Sequence, residues 1–328
     1  MTKLDVVGLG ALNMDYLYRV ERILSDGETI VKDFSQSPGG SAANTIYGLA
    51  RLGVKTGFAG VVGDDADGKL LITDFQKAGV DTSRVKVKAG VKSGSVIGLT
   101  DNLSHRSLYV LPAANSQLTI RDLDVDYVNQ ARILHISSFA DDRQFKVTLD
   151  LIRRLNSSVK VSFAPGALYA SKGLKALAPI LSRTHVLFVN QSEMRQLTGR
   201  GVMTGAKTCL ELECQVVVVT LGQGKKLRTG TSAARRTVTA IGYIRDARNE
   251  YAIEPPEPSA TEVDTTGAGD AFAAGFLYGW LKNKELEVCG RLGNIVAQFS
   301  IREVGARAGL PTLAQLSRRY QELYREAL

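Results

Sequence analysis

Between residues 132 and 220 the chain repeats one pattern: a short apolar run, a segment long enough for a helix, then another apolar run. The runs are Ile133-Leu134-His135-Ile136, Val159–Phe163, Val186–Val189 and Val216–Thr220, and helices are predicted over 142–155, 171–182, 191–198 and 203–213. Runs that are apolar throughout, rather than alternating, belong to strands covered on both faces. Such strands interleaved with helices make a parallel sheet between two helical layers. Leu4–Gly10 reads as a first strand entering a glycine turn, and Thr56–Val62 as another, followed by a turn over 63–68. Strand patterns also fall at Thr237–Tyr243 and Tyr251–Ile253, before Pro255-Pro256-Glu257-Pro258, and three helices are predicted over 268–282, 285–302 and 312–326. The fold expected is α/β, with a mostly parallel central sheet.

Four segments do not fit that series. Tyr16–Val20, Thr29–Phe34, Gly94–Thr100 and Ser107–Leu111 alternate as short strands. Segments near 14–36 and 93–112 are therefore expected to form a small separate sheet. No internal repeat or linker divides the 328 residues, so 1–328 is expected to be a single domain.

Several functions are excluded early. No apolar run approaches the roughly 20 residues of a membrane helix, and the N-terminus carries no signal-peptide pattern, so the cytoplasm is the expected location. Cys209, Cys214 and Cys289 are odd in number and lack metal-ligand spacing, and the histidines are only three, so packing is expected for the cysteines. The net charge of +8 suits phosphorylated small molecules as well as nucleic acid. The densest cations, Lys225, Lys226, Arg228, Arg235, Arg236, Arg245 and Arg248, are not interleaved with aromatics, which argues against nucleic acid.

Two glycine motifs carry chemistry. Asp264-Thr265-Thr266-Gly267-Ala268-Gly269-Asp270 precedes an apolar helical run. A helix N-terminus exposes unpaired N–H groups and attracts anions, and small residues let a phosphate approach the backbone. A carboxylate beside such an anion hole suits a base that strips a proton from an attacking hydroxyl. The alternative is an ordinary N-cap at Asp264, Thr265 or Thr266. Pro38-Gly39-Gly40-Ser41-Ala42-Ala43-Asn44 opens a second helix.

In that order and separation, the two motifs resemble those of the ribokinase-like carbohydrate kinase family, which has a Gly-Gly signature near the N-terminus and a DTGAGD-type signature near the C-terminus. The resemblance runs from Val6 to about Pro311. It implies a three-layer α/β/α fold in which the small sheet is a lid over the acceptor, with a homodimer formed through it. It also implies an ATP-dependent phosphotransferase acting on a hydroxymethyl group of a sugar or sugar derivative, with Asp270 as base and Gly267, Ala268 and Gly269 as the anion hole. Asn13 and Asp15 match positions that grip the sugar, and Gly40, Ser41 and Asn44 the rest of that pocket. For Asn44 the alternative is a helix-surface amide.

Asn190-Gln191-Ser192-Glu193 resembles the family's N-x-x-E motif, which organises Mg²⁺ and phosphates, often through water. Its local alternative is a capping box. Thr220-Leu221-Gly222-Gln223-Gly224 resembles the T-x-G-x-x-G nucleotide loop with its second glycine one residue early, and a glycine hairpin is the alternative. Asn294, Ala297 and Gly305 lie where relatives wrap the adenine. Asp264 and Thr266 match positions that bind a monovalent cation (K⁺) in some members, capping being the alternative. Many relatives have Asp at the position of Ala164, and ribose-specific members place a carboxylate near 135–139, absent here. A nucleoside kinase, whose base would need an apolar slot near Phe34, Leu108 or Tyr109, and a non-catalytic binding protein on this fold are the competing readings.

Overall fold

The computed structural model describes residues 4–103, 105–229, 236–255 and 263–328. Ser104, Arg235 and Pro256-Glu257-Pro258 lie outside the described residues. The first half runs β1 (Val6–Leu9), β2 (Asn13–Val20), β3 (Val31–Gly39), α1 (Ser41–Arg51), β4 (Thr56–Gly63), α2 (Ala66–Ala78), β5 (Val85–Lys88), β6 (Gly94–Thr100), β7 (Arg106–Leu111), α3 (Val125–Asn129), β8 (Ile133–Ser137) and α4 (Asp142–Arg154). The second half runs β9 (Lys160–Ala164), α5 (Gly166–Ala170), α6 (Gly173–Leu181), β10 (Thr184–Asn190), α7 (Gln191–Thr198), α8 (Val202–Glu211), β11 (Val216–Thr229), β12 (Arg236–Arg245), β13 (Glu250–Ile253), α9 (Ala268–Leu281), α10 (Leu286–Ser300) and α11 (Leu313–Tyr324).

Nine strands form the main sheet in the order β13-β12-β11-β10-β9-β8-β1-β4-β5. All its pairings are parallel except β11–β12 and β12–β13. Side chains alternate across a strand, so an all-apolar strand serves two cores. Val217 and Val219 join the core beneath α4–α8, whereas Val216 and Val218 join that beneath α1, α2 and α9–α11. Val7 and Leu9 divide from Val6 in the same way. These are the three layers expected.

The second sheet has the order β3-β2-β6-β7. It is built from the four segments that did not fit the series, although its second strand begins at Val31 rather than Thr29 and runs to Gly39. Residues paired across adjacent strands share a face. Asp15, Leu17 and Arg19 of β2 therefore share one face with Ser37, Ser35 and Asp33 of β3 and with Val96, Gly98 and Thr100 of β6. Through β6 that face extends to Val110, Leu108 and Arg106 of β7. The opposite face carries Tyr16, Tyr18, Phe34, Ile97, Tyr109 and Leu111.

The local expectations change at a few places. The helix expected over 171–182 is α6, Gly173–Leu181, and a separate short helix, α5, precedes it at Gly166–Ala170. The turn over 63–68 already contains the start of α2, because Asp65 accepts from the Gly68 N–H as its N-cap. The strand expected to end at Thr220 continues to Thr229. Its register against β12 shifts between Thr220 and Lys225, with Gly222 (φ 60°) and Gly224 (φ 111°) in conformations open to glycine. The two glycines thus bulge one strand and do not end it, so the basic residues from 225 onward extend an antiparallel pair. The strand β5 and the helix α3 had no counterpart in the sequence pattern. Cys209, Cys214 and Cys289 are free and buried, as expected of packing cysteines.

Helix α9 is buried along almost its whole length, between the sheet, α1 and α10. A methyl group at Gly275 would lie 2.5 Å from the Leu292 carbonyl oxygen and 2.9 Å from the Gly293 Cα. Backbone cannot yield as a side chain does. Gly275→Val should therefore lower stability by about 2 kcal/mol or more, within the range for overpacked cores, read as a lower urea midpoint. An unchanged midpoint would show that α10 can move away from α9.

Candidate active site

The two glycine motifs meet although some 230 residues separate them. Gly40 is the residue before α1, at φ 101°, and a Cβ there would lie 2.1 Å from the Ala11 carbonyl oxygen. Only glycine allows so close a turn against the end of β1. The first turn of α1 is pinned from below, since the Ala42 N–H donates to Ser137 Oγ (3.0 Å) at the end of β8. The face so presented carries Ser41 and Asn44. Ser41 Oγ donates to Asp270 Oδ1 at 2.7 Å, and Asn44 Nδ2 donates to Asp270 Oδ2 at 2.9 Å. Asn44 is buried, which removes the surface-amide alternative.

Asp270 sits in the first turn of α9, after Gly267 as N-cap at φ 75°. No side chain caps this helix, so the capping alternative for Asp264, Thr265 and Thr266 fails. Asp264 instead turns its own loop: Oδ1 accepts from the Thr266 N–H (2.9 Å) and hydroxyl (2.7 Å), and Oδ2 from the Gly305 N–H (2.9 Å). One expected anion-hole donor is committed, because the Ala268 N–H donates to the Thr265 carbonyl at 3.2 Å. Among the described residues, the N–H groups of Gly267, Gly269 and Asp270 have no such partner. They remain at the positive end of the helix.

Arg307, on the loop after α10, went unnoticed in the sequence. It donates to Asn44 Oδ1 (3.0 Å), the Gly39 carbonyl (3.1 Å) and Asp74 Oδ2 (2.5 Å). Its guanidinium also lies 5.2 and 5.1 Å from the ring centroids of Tyr47 and Phe75. Because Arg307 can only donate, Asn44 must present its carbonyl oxygen to Arg307 and its NH₂ to Asp270. Asn115 was missed for the same reason, a lone residue with distant partners. It accepts from the Leu12 N–H, and its own NH₂ donates to the Leu12 carbonyl and to Asn13 Oδ1 (2.9 Å).

Burial pushes the Asp270 carboxyl up to about 6, against the pull of Asn44, Ser41 and Arg307. Burial likewise pushes Asp15 up to about 7, with Arg307 and Arg106 pulling it down and Asp270 and Asp264 pushing it up. Asp15 Oδ1 is buried without a hydrogen-bond partner. A buried polar atom left unpaired is costly unless something is meant to meet it.

A cavity of about 100 Å³ joins Ser41, Asp270 and Gly269 to Asn190, Glu193 and Thr220, with Ala164 in its wall. It lies at the carboxyl ends of parallel strands, where open α/β sheets bind ligands. Asn190 and Glu193 form a capping box, Asn190 Oδ1 accepting from the Glu193 N–H (2.8 Å) and Glu193 Oε2 from the Asn190 N–H (2.9 Å). Burial raises the Glu193 carboxyl, the Asn190 N–H lowers it, and the Asp270 charge raises it further. The capping role and the cavity position therefore hold together. No group of three or more metal-binding side chains occurs among the described residues. Two carboxylates on one cavity suit an ion that keeps water and phosphate oxygens as its other ligands, as Mg²⁺ does.

A second cavity, of about 320 Å³, lies between the small sheet and two loops, one before α9 carrying Asp264 and Thr266 and one after α10 carrying Val304. Gly222, Gly224, Asn294 and Ala297 line neither cavity. For Gly224 the reason is plain, since it packs against Thr239 of β12. Asn294 is buried within α10 with its Nδ2 unpaired, and Gly305 is bonded to Asp264. A larger cavity, of about 440 Å³ and lined by Arg132, Lys160 and Trp280, sits at the amino ends of the strands, away from every residue singled out above. His135, buried beside Ser162, is pushed down to about 3 by burial and is a neutral core residue.

The sequence profile of the pfkB family carbohydrate kinases matches residues 1–313. The chain belongs to that family. It is 36% identical over 264 residues to an uncharacterized sugar kinase of Archaeoglobus fulgidus, covering 80% of this chain and 98% of that protein. It is 29% identical to an ATP-dependent ribose-1-phosphate kinase of Halopiger xanaduensis, covering 92% and 94%. The solved nucleoside kinase of Methanocaldococcus jannaschii superposes with a TM-score of 0.80 at 21% identity, covering 98% and 99%. The ribokinase-like fold and an ATP-dependent carbohydrate kinase activity follow from this membership.

Asp15 offers a test independent of activity. A carboxyl raised from 3.8 to about 7 binds its proton more tightly in the folded chain. Its ionisation therefore costs stability, fully above pH 7, progressively less as pH falls, and not at all below about 4. Asp15→Asn should gain on the order of 2–4 kcal/mol over wild type at pH 8, and the gain should shrink toward pH 4. Urea titrations at both pH values check this. A pH-independent difference would place Asp15 in water.

Proposed function

We propose that this kinase transfers the γ-phosphoryl group of ATP to a hydroxymethyl group of a sugar derivative held between Asp15 and Asp270. The observation that carries the reading is the convergence of Ser41 and Asn44 on both oxygens of Asp270, at the start of a helix with free N–H groups. Two donors leave the carboxylate oriented, with lone pairs to spare for a substrate hydroxyl. Asp270 takes the proton as the hydroxymethyl oxygen attacks phosphorus. The N–H groups of Gly267 and Gly269 meet charge on the transferring phosphoryl group, a role Ala268 cannot share while it is bonded to Thr265.

Asp15, whose unpaired Oδ1 awaits a donor, accepts from acceptor hydroxyls. Asn13, with its carbonyl committed to Asn115, donates through Nδ2. Gly40, Ser41 and Asn44 close the pocket from α1. The phosphates lie toward Asn190, Glu193 and Thr220, and Mg²⁺ bound there through Glu193 and water would neutralise phosphate charge. Asp264 acts as a loop tether in preference to a K⁺ ligand with Thr266, since each of its oxygens already accepts from a donor. Gly222 and Gly224 are proposed as nucleotide contacts beside Thr220, and Asn294, Ala297 and Gly305 as residues around the adenine.

The outer face of the small sheet is proposed as the contact between two copies, because Phe34, Ile97, Tyr109 and Leu111 stand 45% or more exposed there. No helix of the described residues is long and apolar enough to cross a membrane, and the cytoplasm remains the proposed location. A nucleoside acceptor is the second reading, favoured by Leu108, which lies on the lid's inner face.

Two outcomes test the core of this proposal. Asp270→Asn should lower kcat by about 10²–10⁴ while the fold and ATP affinity persist, and wild-type kcat should fall by half near pH 6 as the base takes up its proton. Near-wild-type turnover in a folded Asp270→Asn chain would exclude the assignment. Glu193→Gln keeps an acceptor for the Asn190 N–H, so it should spare stability yet raise the Mg²⁺ concentration needed for half-maximal rate. If thermal stability falls and the Mg²⁺ titration does not move, Glu193 is a cap alone.

A further inference from the structure

Asn115 is buried in the turn Ala113–Gln117 that follows β7, and its amide can point only one way. The Leu12 N–H only donates, so it meets Oδ1 (3.1 Å), and the Leu12 carbonyl only accepts, so it meets Nδ2 (3.1 Å). The second hydrogen of Nδ2 goes to Asn13 Oδ1 at 2.9 Å. Asn13 therefore has its carbonyl consumed, and among the described residues its own NH₂ has no partner. Two features keep this relay in place. Gly94 pairs with Asn13 across β2 and β6, and a Cβ there would collide with both amides. Ala113, two residues before Asn115, is held at φ 44°, a left-handed conformation unfavourable for a residue with a Cβ.

Asn13 and Asp15 stand two residues apart on β2 and so share its inner face, roughly 7 Å from each other. One offers a hydrogen. The other is a buried carboxyl whose Oδ1 lacks a donor. We propose that Asn115 is a positioning residue that sets the hydrogen-bond polarity of the acceptor pocket, so that the acceptor must show a lone pair to Asn13 and a hydroxyl hydrogen to the Asp15 carboxylate. The oxygen that meets Asn13 needs no hydrogen of its own, so a ring or keto oxygen serves there as well as a hydroxyl. The oxygen that meets Asp15 must be a hydroxyl. Without Asn115 the Asn13 amide could present either end, and the pocket would no longer tell the two kinds of oxygen apart. The same device recurs across the site, where Arg307 takes the Asn44 carbonyl and leaves its NH₂ for Asp270.

This inference rests on the acceptor pocket proposed above, and the experiment separates the two. D-Ribose, D-fructose, D-gluconate and adenosine are screened by ADP release with ATP and Mg²⁺, and the best of them becomes the acceptor probe. Asn115→Asp keeps the side-chain shape and still accepts from the Leu12 N–H. Once ionised it has no hydrogen for Asn13, whose amide then turns its carbonyl to the pocket. At pH 8, KM for the probe should rise about tenfold to a hundredfold over wild type, the range for a polar group left unmatched, with kcat less changed and KM for ATP unmoved. As pH falls the new carboxyl regains its proton and can donate again, so the KM ratio to wild type should return toward one. Lower thermal stability without that KM split and its recovery makes Asn115 structural alone and overturns the proposal, while the kinase reading stands. If the variant does not fold, hydrogen exchange of the side-chain amides decides, measured by NMR on the wild-type chain labelled at its asparagine nitrogens. Both Nδ2 hydrogens of Asn115 should exchange slowly and those of Asn13 quickly, and slow exchange at Asn13 without acceptor overturns the proposal. Turnover of none of the four probes would count against the kinase reading, and the exchange pattern would still uphold or overturn the orientation of Asn13.

Discussion

Arg307 is 7% exposed, and its guanidinium meets three oxygens and two aromatic rings. A buried cation survives only when its donors are satisfied, and removing a partner from such a pair typically costs about 3–5 kcal/mol. The constraint acts on three elements at once: the end of β3 through Gly39, α1 through Asn44 and α2 through Asp74. It fixes which way the Asn44 amide points, and so which group Asp270 meets. Burial lowers the Arg307 pKa while Asp74 and Asp15 raise it. The same positive charge pulls Asp15 and Asp270 back toward ionisation. Packing and catalytic electrostatics thus share one residue.

The site gathers carboxylates that water would normally keep apart. Asp15, Asp270 and Glu193 are all raised, and burial is the first cause for each. Phosphoryl transfer brings more negative charge into the same space, so the cavity must supply compensating donors and, on binding, a metal ion. The amino end of α9 offers such donors, and the buried Arg307 adds positive charge nearby although its own donors are taken.

Much of this was legible in the sequence, for physical reasons that also explain the failures. Short apolar runs mark strands covered on both faces, and glycine motifs mark helix starts that approach other backbone. Ser41, Asn44 and Asp270 could therefore each be singled out from the sequence, although the hydrogen bonds that join them could not. Arg307 and Asn115 carry no periodicity, and their partners lie more than 100 residues away, so nothing local announces them. At Gly222 and Gly224 only the expected end of the strand changed. Glycine permits a loop and a bulge equally, and only the pairing with β12 decides between them. Asn190 and Glu193 satisfied both of their alternatives, because a helix that starts at a strand's carboxyl end needs a cap and faces the ligand at once.

The meeting of Ser41 and Asn44 with Asp270 also sets an order in time. A ribosome releases residues 41 and 44 long before residue 270, and Arg307 comes later still. The central strand β1 waits for β8 to pair on its far side, and contacts this distant in sequence are slow to form. Until residues 270 and 307 emerge, Asn44 lacks both of the side chains that orient its amide. With Asp270 as the proposed base, phosphoryl transfer would wait for the later segments to emerge, and a chain that ends before them would spend no nucleotide.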